Sequence, residues 1–410
     1  MAIGGLYYSD IDRDRQPKEY RRGDTLPAGV SKDVRINGTV YMCGNVRIEQ
    51  GVTLGNNTEL WGGDADATLR VRRGTSIDSQ CIIRTNGFPV DIGENVTIDA
   101  QTKINSMREK GLPYGGKVVI GNDSQIGSNV LLGNNIEIGR DVFIGPNTTI
   151  HYWTTIGDGT QIYKSDIGAP PQDDTWVAEL KQVQMYLRQH PQETGRTTVK
   201  PTYTKIGDDC VINIGCRISR GTQKTSHHTT TLDDCVKIHE HSHVGHDCHL
   251  MRHTKMGTGC KIAGHVVMHP YSAIGSAVKL DRFVQLGMLA YVVSTAGIGR
   301  DVPPCCTAGI MKAFAHDQRF MLNRKGIKNF FRDHGAEHPA ISQATERAAR
   351  PALRVLIERY AGAETKPTDQ NFKRDLKEAL KAHPESAFIK DFIAFMTASW
   401  KRGETRGLNL

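Results

Sequence analysis

The chain reads as mainly β: a parallel β-helix of hexapeptide repeats, followed by a small α-helical C-terminal domain. Three observations predict this. An aliphatic residue recurs every six positions through Ile120, Ile126, Leu132, Ile138, Ile144, Ile150, Ile156 and Ile162, and again through Ile238, Val244, Leu250, Met256, Ile262, Met268, Ile274, Leu280, Leu286, Val292 and Ile298. The position four after each aliphatic is small or β-branched in most repeats, as at Ser124, Val130, Thr148, Ser242, Cys248 and Cys260. Glycine follows the aliphatic in Ile120-Gly121, Ile126-Gly127, Leu132-Gly133, Ile138-Gly139 and Ile144-Gly145, where a turn would use a permissive backbone. A period of six fits neither 3.6 nor 2 alone and is the mark of stacked β-coils.

Length and composition agree. At 410 residues the chain exceeds one ordinary compact domain, and 38% hydrophobic content with 42 glycines is thin for a thick core. It is adequate where each short strand buries one residue. The net charge of +8 suggests an acidic partner, but no basic block interleaved with aromatics points to nucleic acid. The N-terminal MAIGGLYYSDIDRDRQ does not read as a signal peptide, and no apolar run approaches the ~18 residues of a spanning helix. Nine cysteines without CxxC pairing fit a reducing compartment, so a cytoplasmic location and no membrane span are expected.

Taken in order, residues 1–33 form an N-terminal segment and residues 34–312 the β-helix. Its first coils carry the six-step set Ile36, Met42, Ile48, Leu54 and Leu60, and Ile206, Ile212 and Ile218 bridge the two long series. The rhythm breaks at a loop, 105–117, and at an insertion, 169–203, where Trp176, Leu180, Val183 and Leu187 stand at helical spacing before Pro191. Residues 313–410 form the α-helical domain. Phe372, Leu376 and Leu380 lie on one helical face, and Phe388, Ile389, Phe392, Ile393, Phe395 and Met396 on another.

If three hexapeptides close one coil, residues eighteen apart stack at the strand spacing of about 4.8 Å. That relation sorts the histidine-rich stretch 239–253. Cys210, Cys216, Cys248 and Cys260 fall in the inward slot and read as buried thiols, whereas His243 and His246 face out; ligands that diverge make a zinc site there unexpected. His239, His241, His249 and His253 read as solvated imidazoles. His246 stands eighteen residues before Gly264, so a general base and a free amide could address one reacting centre, a geometry suited to acyl transfer. His243 and His265 flank that pair.

The segments Ser242-His243-Val244-Gly245-His246-Asp247-Cys248, Ala263-Gly264-His265-Val266, Asp301-Val302-Pro303-Pro304, Ile218-Ser219-Arg220-Gly221-Thr222 and Pro171-Gln172-Asp173 carry a resemblance over roughly residues 118–405. In these motifs and their order the chain resembles the UDP-N-acetylglucosamine O-acyltransferase family of lipid A biosynthesis. The stretch His383-Pro384-Glu385 before Phe388, Asp391 and Phe392 is similar too. The resemblance implies a left-handed β-helix, a homotrimer with sites between subunits, and transfer of a 3-hydroxyacyl group from acyl carrier protein to a UDP-sugar. It implies His246 as general base, Asp247 as its polarising partner and Gly264 as oxyanion donor. His243, His265, Gln172, Asp173 and Arg324 would contact the sugar nucleotide, with no metal or organic cofactor.

Lys312, Arg319, Arg324, Lys325, Lys328 and Arg332 cluster after the β-helix, as docking of an acidic carrier protein requires. Asp281 and Arg282 stand where the family usually has a His-Gln pair, Thr175 where it has lysine and Lys312 where it has histidine. These departures, like the insertion, bear on the acceptor, on O- versus N-acylation and on chain length. Two alternatives stay open: a hexapeptide acyltransferase using acyl-coenzyme A on another sugar or amine, and a non-catalytic β-helical scaffold.

Overall fold

The computed structural model describes residues 16–64, 66–105, 117–171, 201–310, 318–357 and 369–405. The chain divides into two compact units, Met1–Cys235 with Gly245–Asp247, and Val236–Val244 with Cys248–Leu410.

In the first unit short strands stack in parallel on three sides. One side runs from Thr39–Cys43 through Thr58–Trp61 to Arg217–Ser219, a second from Val46–Ile48 to Thr229–Leu232, and the third from Arg35–Ile36 to Val211–Ile212. The register is in phase with the repeat: Gln125 pairs with Phe143, Leu131 with Thr149 and Phe143 with Gln161. Each predicted aliphatic from Ile120 to Ile162 is buried, which removes its side chain from water at roughly 25 cal/mol per Å² of apolar area. The small slot is buried as well, from Ser124 to Thr160. Its hydroxyls bond carbonyls of the next coil, as when Ser124 Oγ donates to Gly139 O (2.9 Å) and Thr160 Oγ1 to Gly207 O (2.8 Å).

The glycines do a different job from the one their position suggests. Gly121, Gly127, Gly133, Gly139 and Gly145 are absent from the left-handed backbone positions, which fall two residues later, at Asp123, Asn129, Asn135, Asp141 and Asn147. Asn and Asp tolerate that region. What glycine supplies is closeness: a Cβ on Gly121 would lie 2.3 Å from the Gly139 carbonyl oxygen on the next coil.

Two boundaries move. The described part of the N-terminal segment, from residue 16, is not separate from the coils, because Lys18–Arg21 pairs antiparallel with Thr39–Cys43 and Val30 bridges to Ile48. This covers the edge that the first coil would otherwise leave unpaired. The loop at 106–116 and the insertion at 172–200, with its expected helix, lie outside the described residues.

The second unit repeats the architecture, with Lys255 paired to Ala273, Lys261 to Lys279 and Val267 to Gln285. Its thiols fill the small slot as expected, and Cys260 Sγ reaches Gly275 O (2.9 Å). Strand structure continues past 312: Gln318–Leu322 folds back antiparallel on Cys306–Ile310, so the helices start at Arg324. Asn323 caps the helix Arg324–Asp333, its Oδ1 accepting from the Gly326 amide (2.9 Å). Later helices Gln343–Leu356 and Ala387–Thr405 are tied by the buried Glu346 carboxylate, which accepts from Ser386 Oγ (2.7 Å) and the Ala387 amide (2.7 Å). Phe388, Ile389, Phe392, Phe395 and Met396 are buried as predicted, but Leu380 is exposed and Ala379 takes the inward place beside Leu376. Among the described residues no helix is long and apolar enough to cross a membrane.

The alternation gives a direct test. Ile212 is fully buried while Ile214, two residues on, is 48% exposed. Ile212→Ala is expected to lower the unfolding free energy by about 2–5 kcal/mol, and Ile214→Ala by no more than about 0.5 kcal/mol. Urea melts of the two variants check this.

Candidate active site

Aliphatic Val244 fixes the phase of the histidine-rich coil. Three residues later Asp247 takes the left-handed corner (φ 56°), and the next residue, Cys248, turns into the core. His246 is thereby left on the outer surface of the corner, its side chain 13% exposed, while that of Asp247 is only 1% exposed.

Within the first unit Asp247 is the most heavily bonded carboxylate of the corner. Its Oδ2 lies 2.9 Å from His246 Nδ1 and accepts from Thr222 Oγ1 (2.6 Å). Its Oδ1 accepts from the Thr222 amide (2.9 Å) and from Thr225 Oγ1 (2.9 Å). The Asp247 amide donates to Thr230 Oγ1 (2.8 Å). Burial pushes the carboxyl pKa up, but the bonds from His246, Thr222 and Thr225 outweigh it and hold Asp247 below the ordinary carboxylate value. An ionised carboxylate only accepts, so His246 Nδ1 carries the proton and Nε2 presents a lone pair. That is the tautomer of a general base.

Thr222 and Thr225 come from the segment after Ser219, where the coil leaves strand geometry. Gly221 passes so close to the chain that a Cβ there would lie 2.4 Å from the His228 carbonyl. The sequence marks Thr222 as part of a motif without giving it a role; Thr225 carries no periodic signal, and Thr230 stands in the small inward slot in register with Thr204. Nearby in the motif, Arg220 is buried with its guanidinium 5.4 Å from the centre of the Trp153 ring.

The first unit also holds a cluster that the repeat pattern does not disclose. His151 Nε2 stands 2.5 Å from Asp166 Oδ1, and Arg217 Nε is 3.8 Å from Asp166 Oδ2. Burial raises the Asp166 pKa, yet the hydrogen bond to His151 and the nearby Arg217 guanidinium bring it below the usual value.

In the second unit His243 pairs with Lys261, and His249 with Val267, so the eighteen-residue register holds on either side of the histidine corner. Gly264 is buried, and its amide donates to no described acceptor. At some equivalent corners the amide is capped from the following coil, as Arg140 by Asp158 Oδ1 (2.8 Å) or Ser276 by Ser294 Oγ (3.1 Å). Above Gly264 the register brings Arg282, whose side chain has donors only. His265, left-handed at φ 63°, stacks on Phe283 with ring centres 4.5 Å apart and planes 9° apart. Phe283 is an exposed aromatic that sequence reasoning passed over.

The remaining expectations divide. His239 and His241 are exposed, in keeping with solvated imidazoles, but His249 and His253 are half-buried, and His253 is stacked on Tyr271. Arg324, Lys325 and Lys328 are exposed on the helix Arg324–Asp333. Arg332 is exposed but already paired to Asp333 at 2.5 and 2.7 Å, so its charge is partly spent locally. Arg319 lies on the strand Gln318–Leu322, and Lys312, Gln172, Asp173 and Thr175 lie outside the described residues. Asp301 of the Asp-Val-Pro-Pro motif accepts from the Gln285 amide (2.8 Å) and from Ser399 Oγ (2.5 Å), a structural tie.

Comparison with known proteins bears on the fold and on sequence similarity. A family model for the bacterial transferase hexapeptide, six repeats, matches residues 117–152. The acyl-[acyl-carrier-protein]–UDP-N-acetylglucosamine O-acyltransferase of Helicobacter pylori is 24% identical over 247 residues, covering 60% of this chain and 75% of that relative. Its counterpart in Burkholderia mallei is 28% identical over 208 residues, 50% of this chain and 71% of the relative. The chain is similar in sequence to the UDP-N-acetylglucosamine O-acyltransferases. Solved UDP-N-acetylglucosamine acyltransferases from Bacteroides fragilis and Francisella novicida superpose with TM-scores of 0.53 and 0.52. Each is 20% identical and covers 71% of this chain, with 94% and 88% of its own length matched. At that identity the likeness concerns the fold, which is the left-handed parallel β-helix with a small helical C-terminal part.

The Asp247 environment predicts a pH signature. A carboxyl depressed in the folded state contributes stability above its unfolded pKa of about 3.9, and that contribution is lost as pH falls through the folded value. Asp247→Asn is therefore expected to cost about 1–3 kcal/mol at neutral pH, with the deficit shrinking below pH of about 4. Urea midpoints of both proteins at the two pH values decide; an equal deficit at each would place the cost elsewhere than in the charge.

Proposed function

We propose that the protein transfers an acyl group from acyl carrier protein to a hydroxyl of a UDP-N-acetylglucosamine-type sugar nucleotide. The observation that carries the mechanism is the His246–Asp247 pair, whose carboxylate Thr222 and Thr225 hold beside the imidazole. The eighteen-residue step adds an uncapped amide at Gly264. His246 Nε2 takes the proton of the sugar hydroxyl as its oxygen attacks the thioester carbonyl carbon. The Gly264 N–H stabilises the oxyanion that forms. Collapse breaks the carbon–sulfur bond, and the departing thiolate of the carrier recovers the proton from the imidazolium. The products are an O-acyl sugar nucleotide and carrier thiol, with no change of oxidation state.

His243 and His265 would contact the acceptor, the latter presented by Phe283, while Gln172 and Asp173 would complete its binding and Arg324 its phosphate. Lys325 and Lys328 would meet the acidic carrier. Lys312 and Arg319 belong to the same reading, and Arg332 contributes less because Asp333 already answers it. The working enzyme would be a cytoplasmic homotrimer, with a solution mass three times the 45.3 kDa of the chain.

His246→Ala is expected to lower turnover by about 10²–10⁴-fold with the fold retained. The assay is mass spectrometry of UDP-N-acetylglucosamine incubated with acyl carrier protein thioesters and, separately, coenzyme A thioesters. Acylated sugar nucleotide from the coenzyme A donor alone would transfer the protein to the rival donor class, and unchanged turnover in the variant would remove the base.

The Lys325→Glu/Lys328→Glu double variant is expected to weaken carrier-protein binding at low salt and to flatten its salt dependence. Arg332→Glu should do so less. Equal affinities for all three, measured by titration calorimetry at two ionic strengths, would put the docking surface elsewhere.

A further inference from the structure

A second histidine cluster stands in the second unit, apart from the acyl-transfer residues. His253 occupies a left-handed corner (φ 60°), and Tyr271, eighteen residues on, occupies the same corner of the next coil (φ 61°). Their rings stack with centres 4.8 Å and planes 12° apart. The hydroxyl of Tyr271 bonds His338 Nε2 at 2.6 Å, and Phe330 meets its ring edge-on, so the phenol is fixed from both sides. Onto this wall the end of the helix Arg324–Asp333 delivers His334, whose ring centre lies 4.5 Å from that of His253. The following turn, Gly335–Glu337, delivers Glu337.

The donor atoms converge. His334 Nδ1 lies 3.2 Å from Glu337 Oε1, and His253 Nε2 lies 3.7 Å from Glu337 Oε2. All three residues offer ligand atoms within 4.8 Å of one another. A tetrahedral zinc ion with bonds of about 2.1 Å sets its ligand atoms about 3.4 Å apart. Each imidazole already stands near that distance from an oxygen of the one Glu337 carboxylate. Moreover, His253 Nε2 is buried without a hydrogen-bond partner, an arrangement that costs free energy unless something fills the space it faces.

We propose that His253, His334 and Glu337 bind a divalent ion of the zinc class, with solvent completing the coordination. Two imidazoles and one carboxylate are a borderline donor set that suits zinc and disfavours magnesium or calcium, which take oxygen ligands. One ligand comes from a β-helix corner, one from the C-terminal end of the helix Arg324–Asp333 and one from the turn that follows it. The ion therefore fastens the end of that helix, which carries Arg324, Lys325 and Lys328, to the coil that carries His253. Arg252 and Lys255 flank the site in sequence, and the Glu337 carboxylate offsets their charge.

The test uses the full chain, stripped with chelator and titrated with zinc against a chromophoric competitor, then with cobalt(II) for its visible spectrum. The expected result is one zinc per chain held at micromolar ion, a raised thermal midpoint and a cobalt spectrum of low coordination number. Because losing even an outer-shell partner costs about 10–100-fold in affinity, His334→Ala and Glu337→Gln should each lose about 100-fold or more. Both side chains lie at the surface, and circular dichroism confirms that the variants fold. His246→Ala should bind zinc as the parent does. Absence of zinc at micromolar ion, parental affinity in the His334 and Glu337 variants, or loss of binding in His246→Ala would each overturn the proposal.

Discussion

The constraint on which everything else rests is the close parallel stacking of one coil on the next. Each short strand gives only one or two inward side chains, so burial is shared along the ladder rather than gathered in one centre. The approach is near enough that a β-carbon on Gly121 would collide with the carbonyl of Gly139. Small hydroxyls and thiols in the second inward slot turn that closeness into hydrogen bonds, as Ser124, Thr160 and Cys260 do. A cysteine in this fold is thus a serine analogue with a larger atom, and burial raises the thiol pKa of Cys260 and suppresses thiolate chemistry.

The same constraint puts polar side chains at many of the corners. A corner residue in the left-handed region cannot point inward, and the strand ladder does not use its side chain. Asn and Asp take most such places in the first unit, where they serve the backbone. In the histidine-rich region the slot passes to His241, Asp247, His253 and His265, and the outer surface gains acids and bases at a fixed pitch. At Arg140, Asp158 and Ser276 a corner amide is capped by a side chain from the coil that follows. Arg282 offers the Gly264 amide no such acceptor, and that amide has no described partner.

Departures from regularity add what periodicity cannot. The path after Ser219 leaves the ladder and returns with Thr222 and Thr225 against Asp247, replacing water around a carboxylate that is nearly sealed from solvent. Without those hydroxyls the buried charge would be costly, and the imidazole would lose its fixed tautomer. Likewise the helix Arg324–Asp333 ends where His334 and Glu337 meet a corner of the coil, so one helix carries both a basic face and a histidine cluster.

The sequence by itself determined the coil period, the two inward slots, the burial of Cys210, Cys216, Cys248 and Cys260, and the outward placement of His246. It could do so because a six-residue rhythm repeats the same local geometry at every step, and a short period is visible in a linear chain. Boundaries were less legible: the strands Lys18–Arg21 and Gln318–Leu322 pair antiparallel and carry no hexapeptide signal. The Thr222–Asp247 clamp, the His265–Phe283 stack and the meeting of His253 with His334 were decided by tertiary structure alone. The first and last join segments that do not share the repeat, and the stack pairs a corner histidine with a surface aromatic for which burial patterning has no place. Only folding brings such residues together, because their proximity depends on where irregular segments return to a regular surface.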